Sequence, residues 1–342
     1  MLSRDVIQRL PKVQLHCHLE GTVRPKTFRE LAARGKIELG ERGVGPLERC
    51  YDFRTFREFL LLFGKVCEVL RTPDDFAQIA HEYATDAAHE GVMYAELFIA
   101  PSVWKHFYPD LNIRSTVSAI RTALDEVGAR CGLQVALIVD LTRNFGEARA
   151  MEMVRGAAML QDLGVIGIGL GGDEANYPPR LFRDVYDLAR RAGLRTVAHA
   201  GEAAGPASVR SAIEDLGVER IGHGIRSVED EELLEDLVRR RVPLEICPTS
   251  NYLTGSLPSG STHPLAEFDR RGVLCTIDAD DPALFGTTLS NEYAIAAELA
   301  GPDALLRFAQ NAIDGSFAQP EHKALLRAKL DAFAADACAT VT

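Results

Sequence analysis

Eight apolar runs, each long enough for one strand and most followed by a stretch of helical period, recur along this chain, and no other feature limits its fold so tightly. They are VQLHCHLE (13–20), VMYAELFIA (92–100), LQVALIVDL (133–141), VIGIGLGGD (165–173), RTVAHAGE (195–202), RIGHGI (220–225), PLEICPTSN (243–251) and VLCTIDADDP (273–282). Helical periodicity fills the intervals 74–90, 114–131, 147–163, 180–192 and 228–240. Continuous apolar strands joined through helices pair in parallel, with right-handed crossovers and both faces covered. Eight such units predict a (β/α)8 TIM barrel rather than an open doubly wound sheet. A helical insertion around residues 51–70 and a helical tail after Asn291 stand outside the count. The loop LTGSLPSGSTHP (253–264) follows the seventh run, where a barrel-top loop belongs, so it is no linker and residues 1–342 read as a single domain.

A formal net charge of −11 argues against nonspecific nucleic-acid binding, which needs a basic surface. No apolar stretch reaches membrane-spanning length, and MLSRDVIQRLPK has neither the apolar core nor the cleavage site of a secretory signal. The seven cysteines are scattered and never spaced Cys-x-x-Cys, as expected of reduced thiols in a cytoplasmic protein. The partner this leaves is a small molecule.

In a strand, residues two apart face the same side, so His16 and His18 look out together. His199 and Glu202 end the fifth run, His223 the sixth, and Asp280 and Asp281 the eighth. Each has an ordinary reading: an imidazole bonded to backbone, or a turn that caps the next helix. Together they do not, because ionisable groups closing several apolar strands are costly unless something pairs with them. Imidazoles and a carboxylate converging at the mouth of a barrel form a zinc-type donor set. His81, His89, His106, His263 and His322 fall in helical or loop segments, where solvated or capping roles are expected. GIGLGG (167–172) fits a dinucleotide fingerprint only as a string, since DEANYPP rather than an apolar helix follows it; close packing inside the barrel explains its glycines better. No G-x-S-x-G elbow occurs.

In order and spacing, PKVQLHCHLEG (11–21), YAELFIAP (94–101), GLGGDE (169–174), HAGE (199–202), RIGHG (220–224), CPTSN (247–251) and DADDP (278–282) resemble the adenosine deaminase-like family of metal-dependent aminohydrolases. The resemblance implies one Zn²⁺ per chain, held by His16, His18, His199 and Asp280, which lowers the pKa of water so that hydroxide attacks C6 of a 6-aminopurine. It assigns His223 and Asp281 to orienting and deprotonating that water, and gives Asp281 a purine contact as well. Glu202 would protonate N1 as the nucleophile adds. Gly172 would offer its N–H towards N3, and His18 and Glu20 would also meet the substrate. Zinc deaminases of the other type, with H-x-E and P-C-x-x-C, are excluded because no P-C-x-x-C is present to accompany the His18-Leu19-Glu20 string.

Two departures bear on the substrate. Glu20 stands where the family commonly has an Asp that contacts the ribose 5′-hydroxyl, a change also met in adenine deaminases. Phe98 and Ala100 replace a common Arg and Ser, and the only tryptophan, Trp104, follows. The expected substrate is an adenosine-type nucleoside. Adenine is one alternative. Aminodeoxyfutalosine, whose 5′ extension carries a benzoate, is another: Phe98 and Trp104 would form an apolar shelf, with Lys105 or Arg143 meeting the carboxylate. A barrel without catalysis, serving only to bind, is the alternative from another class; against it, every ligand and catalytic position is filled.

Overall fold

The computed structural model describes residues 4–258 and 260–339. Its strands are β1 (Lys12–His18), β2 (Val92–Ile99), β3 (Gln134–Thr142), β4 (Val165–Gly171), β5 (Arg195–Ala200), β6 (Arg220–His223), β7 (Leu244–Ile246) and β8 (Cys275–Ile277). They pair in parallel in the order β1-β2-β3-β4-β5-β6-β7-β8. The expected (β/α)8 barrel is what the chain forms. The last two strands are shorter than their apolar runs because Pro248 and Pro282 open helices, Pro248–Leu253 and Pro282–Phe285; proline suits the first helical turn and cannot donate to a ladder.

Between β8 and β1 the ring closes through a narrow seam. One bridge joins Cys17 to Asp280, with Asp280 N donating to His16 O (3.0 Å) and His18 N donating to Asp280 O (2.9 Å). Asp278 strengthens it: its Oδ1 accepts the backbone N–H groups of Leu15 (2.6 Å) and His16 (3.0 Å), across 263 residues of sequence in the first case. A buried carboxylate thus does the work of absent ladder bonds, and it fixes the backbone beneath the first metal-type ligand.

The connection from β1 to β2 carries the insertion, including the helix Phe56–Val69, whose N-cap Thr55 accepts from Glu58 N (3.2 Å). The tail forms the helices Leu289–Ala300, Ala304–Gly315 and Pro320–Ala339. Between the last two, Phe317 plugs the lower end of the barrel and packs with Phe98, Ile138 and Val197. Its ring lies under the guanidinium groups of Arg220 (3.8 Å) and Arg195 (4.1 Å). Arg220 in turn spans Glu96 (2.7 Å) and Glu245 (2.5 Å), all three fully buried. Removing one partner of such a group leaves a charge uncompensated, at about 3–5 kcal/mol, so this polar layer tolerates substitution no better than the apolar core around it.

Candidate active site

The upper ends of the strands surround a cavity of about 760 Å³. His18, Gly172, His199, Glu202, His223, Asp280 and Asp281 line it. His16 lies just below, fully buried, its ring 4.5 Å from that of His199 and 4.8 Å from that of His223. The strand ends therefore converge as the sequence led us to expect.

Several spacings match donors around one ion. His18 Nε2 lies 3.2 Å from His199 Nε2 and 3.4 Å from Asp280 Oδ1, and His16 Nε2 lies 3.5 Å from the same oxygen. Ligand atoms on a tetrahedral zinc with bonds of about 2.1 Å stand about 3.4 Å apart. His16 Nε2 is buried without a hydrogen-bond partner, while its Nδ1 lies 2.7 Å from Glu245 Oε2. A carboxylate on one imidazole nitrogen leaves the other with its lone pair aimed at the metal position. Burial holds His18 down to about 3 and His199 well below its ordinary value, keeping both in the neutral form a metal requires. Burial opposes the charge on Asp280, yet the histidines around it, His16 foremost, hold its carboxyl well below the usual carboxylate range. The donors fit a metal. His16, His199, His223 and Asp280 form one group within 4.8 Å, and His18, Asp280 and Asp281 another, so distance alone admits His223 as readily as His18.

Glu202 is held by Glu174. The two oxygens of Glu174 accept from Gly201 N (2.6 Å), Glu202 N (3.1 Å), Ala203 N (2.7 Å) and Ala204 N (3.0 Å), fixing the turn after β5. Burial, then the charges of Asp280 and Glu174, push the Glu202 carboxyl well above its ordinary value, so it keeps a proton to give. Replacing Glu174 by Ala is expected to lower kcat by roughly tenfold with zinc content unchanged, because four N–H groups lose their acceptor and Glu202 loses its aim. Unchanged kcat in a folded variant would reduce the cradle to a structural detail.

Asp281 is likewise raised, by burial and then the Asp280 charge. A Cβ on Gly21 would lie 1.9 Å from Asp281 Oδ1, so only glycine fits beneath it. His223 and Asp280 adopt φ of 62° and 60°, left-handed backbone that side chains rarely take and that gathers at functional sites. Gly172, at φ 95°, lines the cavity without strain.

Five expectations about the substrate side are corrected. Phe98 is fully buried and stacks on His18, with ring centroids 4.9 Å apart, so it supports a ligand from below and faces no substrate. Trp104 is buried too, because its indole N–H donates to Glu20 Oε1 (2.6 Å). That bond, with a second from Ala100 N (2.9 Å), draws Glu20 into the wall, outside the cavity lining. Arg143 is buried behind β5, donating to His199 O and to Tyr177 O (2.8 Å). Lys105 binds Pro109 O and Leu111 O.

Other residues stand where the shelf was expected. Phe56, Phe59, Leu60 and Phe63, spaced three and four apart on the inserted helix, form an apolar wall completed by Phe107 and Phe145. Asp140 reaches the cavity from β3, with Oδ1 unpartnered and its carboxyl pushed up to about 8 by burial. A Cβ on Gly169 or Gly171 would come within 2.7 Å of its carboxylate, which is why those strand positions are glycine. A lone Asp within LQVALIVDL was the signal that sequence reasoning passed over.

The sequence model described as adenosine deaminase matches residues 11–333. The chain belongs to the adenosine deaminase family. Relatives include the aminodeoxyfutalosine deaminase of Streptomyces avermitilis, 38% identical over 96% of this chain and 92% of that one. The adenine deaminase of Streptomyces coelicolor is 37% identical over 95% of each chain. An amidohydrolase from Burkholderia ambifaria solved with bound Zn is 29% identical, with TM-score 0.88 over 99% of this chain and 96% of that one. This family member is therefore a hydrolytic deaminase of adenine-type substrates, with a His/Asp cluster able to bind a metal. Among its described residues, no helix is long and apolar enough to cross a membrane.

Proposed function

We propose that this deaminase holds one zinc ion on His16, His18, His199 and Asp280, and that its substrate is a 6-aminopurine nucleoside extended at the 5′ carbon by an aromatic acid, aminodeoxyfutalosine. One observation carries the substrate reading: the cavity is wide and aromatic-walled, yet Glu20 is turned out of it. Glu20 Oε1 is taken by Trp104 and Ala100, and its unpartnered Oε2 is buried outside the cavity lining, which argues against the hydrogen bond it would accept from the ribose 5′-hydroxyl of adenosine. A nucleoside whose 5′ carbon bears the extension does not need it. The wall of Phe56, Phe59 and Phe63 suits a second aromatic ring, and about 760 Å³ is ample for both. Arg57, exposed on the rim with no ion pair among the described residues, suits the carboxylate.

A zinc ion so held supplies a Lewis acid that makes water nucleophilic near neutral pH. Glu202, carrying its proton, gives it to N1 as water adds to C6, so that the displaced ring electrons come to rest on nitrogen. The charge of a bound cation beside it would offset the burial that raises Asp281, leaving a carboxylate to take a proton from the attacking water, and His223 would orient that water from β6. Gly172 offers its N–H towards N3. The C6–N bond then breaks: the amine leaves as ammonia with the proton that Asp281 took from water, the remaining hydroxyl proton returns to Glu202, and the 6-oxopurine remains with hydrogen on N1.

Ammonia release from aminodeoxyfutalosine, adenine and adenosine at matched concentrations tests the assignment. Aminodeoxyfutalosine should give the highest kcat/KM, and Arg57→Ala should lower that value by roughly threefold to tenfold with no effect on adenine. Adenine is the second reading, since a free base equally lacks the hydroxyl that Glu20 does not meet. Adenosine turning over fastest would sink both.

A further inference from the structure

His223 does not stand alone in the site. Behind it lies a line of buried polar side chains that no role so far explains: Asn251, in the helix Pro248–Leu253, and His263, in the loop after it. Asn251 Nδ2 lies 3.1 Å from His223 Nδ1, Asn251 Oδ1 lies 3.2 Å from His263 Nε2, and the backbone N–H of Leu265 lies 3.1 Å from His263 Nδ1.

Read from its far end, the line has a single polarity. A backbone N–H can only donate, so His263 Nδ1 accepts and the proton of that ring sits on Nε2. His263 Nε2–H then donates to Asn251, which must present its carbonyl oxygen there and its amide NH₂ to His223. His223 Nδ1, receiving that N–H, is an acceptor. The ring's one proton is left on Nε2, which faces the cavity 3.8 Å from both Glu202 Oε2 and Asp280 Oδ2.

We propose that Asn251 and His263 are positioning residues that fix His223 as an Nε2–H tautomer, making it a hydrogen-bond donor to the attacking oxygen and neither a metal ligand nor the base. The proposal rests on the deaminase reading of the site, and it refines that reading in two ways. An Nε2 that carries hydrogen has no lone pair for a metal, so His223 drops out of the possible ligands and His18 stands beside His16, His199 and Asp280 in its place. With His223 already protonated at the site-facing nitrogen, removal of the water's proton falls to Asp281. The donor instead orients the oxygen and stabilises the negative charge it gains as it gives up that proton. His263, expected from the sequence to be solvated or capping, is the anchor of this line and is buried.

The test uses the full-length, zinc-loaded protein labelled with ¹⁵N-histidine, with the His223 signals assigned by their loss in His223→Asn. The expected spectrum shows Nε2 protonated and Nδ1 unprotonated. Asn251→Asp presents a carboxylate that accepts from Nδ1, so the pattern should invert and kcat should fall by roughly a hundredfold or more while zinc stays bound to chelator challenge. His263→Gln keeps a donor for Asn251 and should retain most of the activity; His263→Leu should not. A role in packing alone would lower thermal stability in these variants and leave the tautomer as it was. A wild-type ring protonated at Nδ1, or an Asn251→Asp protein with unchanged tautomer and turnover, would overturn the proposal. Because the spectrum needs no substrate, failure to release ammonia from any 6-aminopurine would count against the functional reading, and the tautomer would still be decided.

Discussion

Glu202→Gln is expected to lower turnover by roughly a hundredfold or more while zinc remains bound. Gln keeps the size of the side chain, and the Glu174 cradle grips only backbone N–H groups around it, so the turn after β5 should be unaltered. What disappears is the transferable proton. Glu202 can hold that proton because its carboxyl is buried and faces the charges of Asp280 and Glu174. Attack at C6 pushes electrons onto N1, and without an acid the anionic adduct forms in a site already rich in carboxylates, which raises the barrier by about 3 kcal/mol for a hundredfold loss. Steady-state kinetics and elemental analysis on one preparation decide it. Near-normal kcat with full zinc would mean that N1 is protonated from elsewhere, Asp140 being a carboxyl on the cavity wall that has no assigned role.

Asp280→Ala is expected to empty the metal site and abolish turnover, by roughly a thousandfold or more, since the metal alone supplies several kcal/mol to such reactions. Asp280 Oδ1 is within 3.5 Å of the Nε2 atoms of both His16 and His18, so its loss removes the one negative donor from among imidazoles. The barrel seam survives, because Asp280 contributes to it through backbone atoms and Asp278 supplies the carboxylate. Elemental analysis after dialysis should fall from about one zinc per chain to near none, with an unchanged circular dichroism spectrum. Two tightly held metals in the wild-type protein would contradict the one-ion reading.

The barrel and the gathering of His and Asp at its mouth were legible because they are written locally. An apolar run that ends in His or Asp announces a strand with a paired tip, and eight runs leave few topologies. The substrate side was not, because its directions depend on partners far apart in sequence. Glu20 and Trp104 find each other across 84 residues, and nothing in LEGTV or PSVWK states that bond. Phe98 occupies the register position beside His18, which places its ring beneath the imidazole instead of at the rim. The stripe of Phe56, Phe59, Leu60 and Phe63 is visible as helical spacing, but spacing does not say whether an apolar face covers a core or walls a cavity. His263 shows the same limit: a loop histidine reads as solvated until the helix following it folds the loop inward.

The seam between β8 and β1 has a consequence for how the enzyme comes into being. His16 and His18 leave the ribosome well before Asp280, so a growing chain displays two imidazoles before the carboxylate that would complete the proposed set. If the proposed set holds the ion, metal loading is tied to ring closure: a product truncated before β8 has neither the seam nor Asp280, and its affinity for zinc should be far below that of the closed barrel. Full occupancy by the ion would then mark a closed barrel, and metal content in freshly made protein should report closure of the seam as well as the supply of zinc.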